Sequence, residues 1–286
     1  MRRAATLALA LLLAACGGQP DPAKPALWRA DCLGGATGWL FGTVHALQRP
    51  AAWRGARIDK ALGQADLLMV ELVDDGVAKE TAAVWSKLAQ SPDLPPLSAR
   101  VPPDERPTLG KVLKRNGLDE EEFADTETWA AALTIAQAAT AELDSANGID
   151  RAVMAAAKGK PSEELEGREA QLAIFDRLPE AEQRDLLAAV IADAARGRNE
   201  SADLAAAWRK GDMAALAAET DRGMLADPEL REALFTGRNR RWTARILASM
   251  AEGHRPFVAV GAAHMAGRDG LPAMLRKAGC KVARIQ

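Results

Sequence analysis

The chain has 286 residues, of which 48% are hydrophobic and 27% are charged, and its formal net charge is -2. This composition can build a sizeable core, so intrinsically disordered and fibrous classes are excluded. There is no long basic block and aromatic residues make up only 4%, so a nucleic-acid-binding role has neither electrostatic nor stacking support.

The first residues have the pattern of a bacterial lipoprotein signal. Two arginines precede an apolar stretch, 4–15, that is too short for a permanent membrane span. The stretch ends in Leu-Ala-Ala-Cys, which resembles a lipobox, where the cysteine, here Cys16, is lipidated; an ordinary signal peptide with a chance cysteine is the alternative. We therefore expect a signal peptide at 1–15 and a polar tether at 16–26. The expected location is the bacterial cell envelope, anchored by lipid to the outer membrane and facing the periplasm.

Cys32 and Cys280 are the remaining cysteines, and they stand near opposite ends of the chain. An oxidising compartment favours a disulfide between them if the first and last strands are neighbours. Two unpaired thiols are the alternative, and the sequence leaves both open.

The two ends of the domain repeat one plan of secondary structure. Residues 27–72 read as strand, strand, loop, helix and strand, with the helix predicted over 51–64. Residues 257–285 read as strand, loop, helix and strand, with the helix predicted over 269–278. Short apolar runs of this kind are typical of buried strands in βαβ units, so both ends are predicted to contribute to one sheet.

The region between these ends, about 98–252, is rich in alanine and mostly helical in pattern. Six prolines in 92–107 exclude an interior helix or a central strand there, and a short strand is predicted at Glu163–Leu165. Helices are predicted over 103–116, 126–142, 149–158, 168–176, 180–196, 200–222 and 228–252. The predicted fold is a single α/β domain over 27–286, with α+β possible: a central mixed sheet and a large helical middle region.

Two of the three histidines follow matched segments. His45 and His264 each come after an apolar strand, a glycine and two small residues. In open α/β sheets ligands bind in the crevice beyond the carboxyl ends of the strands. If the two strands are parallel neighbours, both imidazoles face that crevice, which is the geometry of metal ligands. One such motif is a weak signal and two are stronger; His254 lies in a polar loop and is expected to be exposed.

Carboxylates near these histidines would complete a metal shell or activate water. Glu71 is the first candidate because it interrupts an apolar strand, although a strand-end residue that reaches solvent would look the same. Glu166 is a second, with a solvated loop as the alternative, and Asp150 is interpreted as a helix N-cap. Arg238 and Asn239 lie in a basic stretch that is either a solvated face or a grip on a carboxylate, such as that of Glu71.

An ordered series of motifs resembles the TraB/GumN family, which includes the Tiki-type metal-dependent proteases. The likeness covers about 27–286 and comprises LFGTVH at 40–45, ADL at 65–67 leading to Glu71, NGID at 147–150, KP at 160–161, LE at 165–166, QL at 171–172 with Phe175, RN at 238–239, VGAAHMAG at 260–267 and DGL at 269–271. The chain departs from the family pattern at Met265, where the family usually has Leu, and in the segment 164–167, where Gly-Leu-Glu-Thr is replaced by Glu-Leu-Glu-Gly. The second departure leaves the register of Glu166 open.

The resemblance implies a fold similar to the erythromycin-esterase and haem-binding ChaN-like proteins. It also implies a metal-dependent hydrolytic site with His45, Glu71 and His264 as metal ligands and Glu71, Glu166 and Arg238 as catalytic residues. His and carboxylate ligands suit Zn, Mn, Co or Fe. The expected function is a metal-dependent, peptidase-like hydrolase acting on a peptide or another envelope substrate. The alternative is a non-catalytic envelope protein that binds a metal, haem or a polymer.

Overall fold

The computed structural model describes residues 19–73, 78–196 and 200–286. Its strands form a six-stranded sheet in the order β6-β5-β7-β3-β2-β8 and a two-stranded pair, β1-β4. The strands are β1 Asp21–Pro22, β2 Leu27–Asp31, β3 Thr37–Thr43, β4 Ala51–Ala52, β5 Leu67–Val70, β6 Ser162–Glu164, β7 Pro256–Gly261 and β8 Lys281–Arg284.

Both ends of the chain contribute to the large sheet, which confirms the predicted mixed α/β architecture. Strands β6, β5, β7 and β3 are parallel neighbours, whereas β2 is antiparallel to both β3 and β8. The N-terminal β3 therefore pairs directly with the C-terminal β7, with Thr43 opposite Gly261. This pairing places the carboxyl ends of the two predicted histidine-bearing strands side by side.

Most of the middle of the chain is helical, as predicted. The helices are α1 Ala56–Gln64, α2 Ala78–Leu88, α3 Arg106–Arg115, α4 Thr128–Ala138, α5 Ile149–Ala156, α6 Arg168–Asp176, α7 Glu180–Ala195, α8 Glu200–Lys210, α9 Met213–Glu219, α10 Pro228–Arg231, α11 Gly237–Ala251 and α12 Leu271–Lys277. A π-helical turn, Glu232–Thr236, lies between α10 and α11.

Several predicted boundaries were wrong. The helix expected from residue 51 begins only at Ala56, because Ala51 and Ala52 pair with β1. The helix expected over 200–222 is divided at Gly211, whose φ of 62° is a left-handed conformation that ends α8. Helix α2 was not predicted at all.

The core has two layers against the sheet and a third within the helices. Alternate strand residues separate onto the two faces: Phe41 and Phe257 pack with α1, α5 and α8, whereas Leu40 and Val258 pack with α11 and α12. A third cluster joins α3, α4 and α7 around the fully buried Trp129. Because helices cover both faces of the sheet, polar side chains are placed mainly at the carboxyl ends of its strands.

The antiparallel pair β2–β8 carries a disulfide. Cys32 follows β2, Cys280 precedes β8, and the two are bonded with their Cα atoms 4.2 Å apart across 248 residues of sequence. Among the residues that the structure describes, no helix has the length and apolarity needed to cross a membrane. The predicted signal peptide and Cys16 lie outside the described residues.

Candidate functional site

Three strands end together at one edge of the sheet and present the residues singled out by the sequence. Glu71 follows β5 directly and His45 lies two residues beyond β3. His264 lies in a short 3-10 turn, Ala262–Met265, that follows β7. Because these strands are parallel neighbours, their three carboxyl ends meet at the same edge.

A buried group of ions lies at the centre of this edge. Arg238, near the start of α11, donates to both oxygens of Glu166 at 2.8–3.1 Å and to Glu71 Oε2 at 2.8 Å. The other oxygen of Glu71 accepts the Gly261 N–H at 2.7 Å. All three ionic side chains are at most 11% exposed. The alternatives of a solvated basic face for Arg238 and of a solvated loop for Glu166 do not hold, because both side chains are enclosed in this group.

Within the ion group, Glu71 and Arg238 stay charged despite burial. Burial raises the pKa of Glu71, whereas the charges of Arg238 and of protonated His45, together with the hydrogen bond from the Gly261 N–H, lower it, and the net pKa lies below the ordinary value. For Arg238, burial lowers the pKa, but the hydrogen bonds and charges of the two glutamates raise it by more, so the net pKa lies above the ordinary value. A fixed negative charge and a fixed positive charge are therefore held in the wall of the site.

His264 is buried in an aromatic environment and is neutral. Its ring centroid lies 5.2 Å from that of Phe235 and 4.5 Å from that of Trp242. Nδ1 donates to Asn239 Oδ1 at 2.7 Å, so Nε2 carries the lone pair, which faces Arg238 Nη1 at 3.3 Å. Burial lowers the pKa of His264 to about 3.

His45 has the opposite character. Its side chain is 75% exposed, and its Nδ1 bonds Asp150 Oδ2 at 2.9 Å. Thr43 donates to the other oxygen of Asp150 at 2.5 Å. The hydrogen bond and the charge of Asp150 raise the pKa of His45 to about 9. Asp150 is not the helix N-cap predicted from sequence: Gly148 is the N-cap of α5, and Asp150 lies in the first turn with its side chain directed to β3 and His45.

Each of the two histidines borders its own cavity, and a further cavity of about 510 Å³ lies beside Glu166. The first, of about 390 Å³, has a largely polar lining with some apolar side chains, and its polar members are His45, Glu71, Ser145, Asp150, Arg151, Arg168 and Gln171. The second, of about 310 Å³, is lined by His264 and Arg238 and otherwise mainly by apolar side chains. The two histidines therefore line separate cavities instead of the single crevice expected from sequence, and the ion group has a member in the wall of each.

The predicted metal ligands fit an ion in part. Both imidazoles have Nδ1 held by an oxygen acceptor, the usual partner of a metal-binding histidine, which makes Nε2 the ligand atom. On His264, however, Nε2 already faces Arg238 Nη1 at 3.3 Å, so an ion there would have to displace this contact. Within the described part of the chain, however, only Glu182, Asp227 and Glu229 bring three such atoms within 4.8 Å of one another. Ligand atoms on one zinc ion are at most about 4 Å apart, since each bond is about 2 Å. An ion held by His45, Glu71 and His264 together therefore requires these side chains to move towards one another.

Several supporting residues were missed or placed differently from sequence. Asn239 is fully buried, orients His264 and donates to the Asp269 carbonyl at 2.7 Å. Gln171 donates to Glu71 at 3.5 Å. Both belong to motifs that carry the family resemblance, but their contacts arise from helices distant in sequence, and no local pattern reveals them.

Comparison with known proteins identifies related sequences over most of the chain. The model of the TraB/PrgY/gumN family matches residues 26–284. "Uncharacterized protein YbaP" of Escherichia coli (strain K12) is 28% identical over 243 residues, covering 83% of this chain and 87% of that protein, and the protein of the same name from Shigella flexneri matches equally. No solved structure matches.

Proposed function

The chain belongs to the TraB/PrgY/gumN family, and from this premise we propose that it is a metal-dependent, peptidase-like hydrolase of the bacterial cell envelope. The observation that carries the proposal is the pair of anchored imidazoles. His45 and His264 each bond an oxygen acceptor through Nδ1, and between them lies the buried ion pair of Glu71 and Arg238. Such an arrangement of fixed charges and oriented imidazoles beside a cavity is typical of a reaction centre.

In this proposal the Nε2 atoms of His45 and His264 would hold a divalent ion, with Glu71 as the nearby carboxylate. When bound, such an ion supplies a water of lowered pKa and polarises the substrate carbonyl. His264 is already neutral, as a ligand must be. His45 is protonated at neutral pH, so ion uptake displaces its Nε2 proton and becomes stronger as the pH rises towards 9.

The other polar residues of the site orient the two imidazoles and offset part of the negative charge of the glutamates. Asp150 fixes the ring of His45, and Asn239 fixes the tautomer of His264. Arg238 offsets one of the two negative charges of Glu71 and Glu166 and bonds both carboxylates in place. The cavity beside His45 has the size of a small ligand pocket and is the proposed entrance for substrate.

Metal analysis of the protein isolated from its own envelope tests the proposal. We expect about one divalent ion per chain, lost in His45→Ala and in His264→Ala. His254→Ala is the matched control, because His254 is a half-exposed histidine beside Asp66 and lies in neither cavity. Elemental analysis measures the ion, and a peptide library measures turnover.

Two outcomes contradict the proposal. A parent protein that neither contains nor takes up a divalent ion removes the metal-dependent hydrolase. A bound ion without turnover of any peptide favours the rival, a non-catalytic envelope protein that binds a metal, haem or a polymer in the same place.

The envelope location rests on the sequence pattern around Cys16. Cys16→Ser is expected to yield an unlipidated protein that leaves the membrane fraction, as measured by fractionation and mass spectrometry. Unchanged attachment in the variant would show that the anchor is assigned to the wrong residue.

A further inference from the structure

The second cavity, beside His264, has no role in the function proposed above. We propose that it is a specificity pocket that receives one large apolar side chain of the substrate next to the bond that is cleaved. This inference rests on the proposed hydrolase function, but it makes a separate prediction about binding.

The lining of the cavity has the chemistry of an apolar subsite. Hydrophobic side chains from four separate elements converge on it: Phe175, Leu204, Met224, Leu225, Leu234 and Phe235. Its volume of about 310 Å³ lies at the lower end of the range of about 300–1,000 Å³ for ligand pockets. The space therefore suits a single large side chain better than a whole ligand.

The polar groups at the cavity are already bonded within the protein. Thr220 donates its hydroxyl to the Ala217 carbonyl at 2.7 Å, and Glu219 is paired with Arg222. Arg238 is held by the two glutamates of the ion group. A polar substituent would lose water in this cavity without gaining these partners, whereas an apolar one loses nothing.

The pocket is continuous with the proposed reaction centre. His264 lines it, and the imidazole lies against the ring of Phe235 with their planes 21° apart. A side chain seated on Phe235 therefore lies beside the Nε2 atom that is proposed to hold the ion. This proximity is what a subsite next to the cleaved bond requires.

A rare helical turn shapes this wall. The π-helical turn Glu232–Thr236 carries Leu234 and Phe235 onto the cavity and leads directly to Arg238. Gly237 closes it, and a Cβ there would lie 2.6 Å from the Glu232 carbonyl oxygen, so the turn requires glycine. Single π-helical turns are uncommon and occur frequently at functional sites.

Binding of short blocked peptides tests the pocket independently of turnover. The protein carries His45→Ala, which removes a proposed ligand outside this cavity, and is titrated calorimetrically with an alanine peptide that contains one Phe or, in its place, Gly. We expect the Phe peptide to bind roughly tenfold to a hundredfold more tightly, the gain from burying an aromatic side chain. Leu225→Trp, and Met224→Trp as a second filling variant, should remove most of this preference.

Leu33→Trp is the control, because Leu33 is 88% exposed and borders neither cavity, and it should keep the preference. Equal binding of the Phe and Gly peptides, or a preference that survives in filled variants with unchanged melting temperature, overturns the pocket. Cleavage by the parent protein without an apolar preference would leave the hydrolase standing and the pocket wrong. A pocket-dependent preference without any cleavage would support the pocket and contradict the hydrolase.

Discussion

The two histidine segments share one sequence pattern but have opposite environments. His45 is mostly exposed and pairs with a carboxylate, so its pKa rises to about 9. His264 is enclosed by aromatic rings and pairs with an amide, and its pKa falls to about 3. The repeated pattern places both rings at the same edge of the sheet, but the partner supplied by a distant helix decides whether each ring carries a proton.

The boundary between these environments is the ion group around Arg238, and its removal is expected to have the largest effect. Arg238→Met removes the guanidinium that bonds both buried carboxylates and leaves Glu166 only the exposed Arg241 at 3.7 Å, which should lower the free energy of unfolding by about 3–5 kcal/mol. Denaturant unfolding measures this loss. Arg240→Met is the matched control, because that residue is exposed beside Glu232 and its substitution should leave stability nearly unchanged. Equal losses of unfolding free energy in the two variants would mean that the buried ion group contributes no more to stability than a surface ion pair.

Substitution of the glycine in each histidine segment is expected to have an intermediate effect on stability, and the two effects should differ. A Cβ on Gly42 would lie 2.9 Å from the backbone Cα of Ala262, which cannot move without shifting β7, so Gly42→Ala should cost about 1–3 kcal/mol. A Cβ on Gly261 would lie 3.2 Å from Glu71 Oε1, a side-chain atom, so Gly261→Ala should cost less. Midpoints of denaturant unfolding rank the two variants, and the reverse order would contradict this account of the close approach.

The smallest expected effect is the change in the pKa of His45 when Asp150 is substituted, and titration of the individual histidines measures it. In NMR spectra His45 should titrate near 9, and in Asp150→Asn its pKa should fall towards the ordinary value of about 6.5. Asp144→Asn is the control, because Asp144 caps Ala146 rather than a histidine. If the pKa of His45 is unchanged in Asp150→Asn, the difference in pKa between the two histidines is not caused by this carboxylate.

The two rings also affect stability in opposite pH ranges. For His45, the folded pKa lies above the unfolded one, so its contribution is complete below about pH 6.5 and is lost as the pH rises through 9. For His264, the folded pKa lies below the unfolded one, so the unfolded chain binds a proton that the folded chain does not, and stability falls as the pH decreases from about 6.5 to 3.

Much of the fold could be predicted because its signals are local. Apolar runs, glycines and proline-rich breaks indicated the strands at both ends and most helices of the middle region, and the shared sheet was confirmed. The errors have local causes too. The turn after α8 and the π-helical turn before α11 interrupt patterns that are otherwise continuous in sequence, and Ala51–Ala52 form a strand only because β1 lies beside them.

The sequence by itself determined that the chain has an α/β fold and that His45, Glu71 and His264 stand at strand ends, since strand periodicity and the paired motifs are written in neighbouring residues. Only the tertiary structure decided that Asp150 holds His45, that Arg238 joins two glutamates, and that two cavities flank the ion group. These contacts link residues about 70 to 170 positions apart, and the charge of each depends on burial and partners that no local pattern specifies.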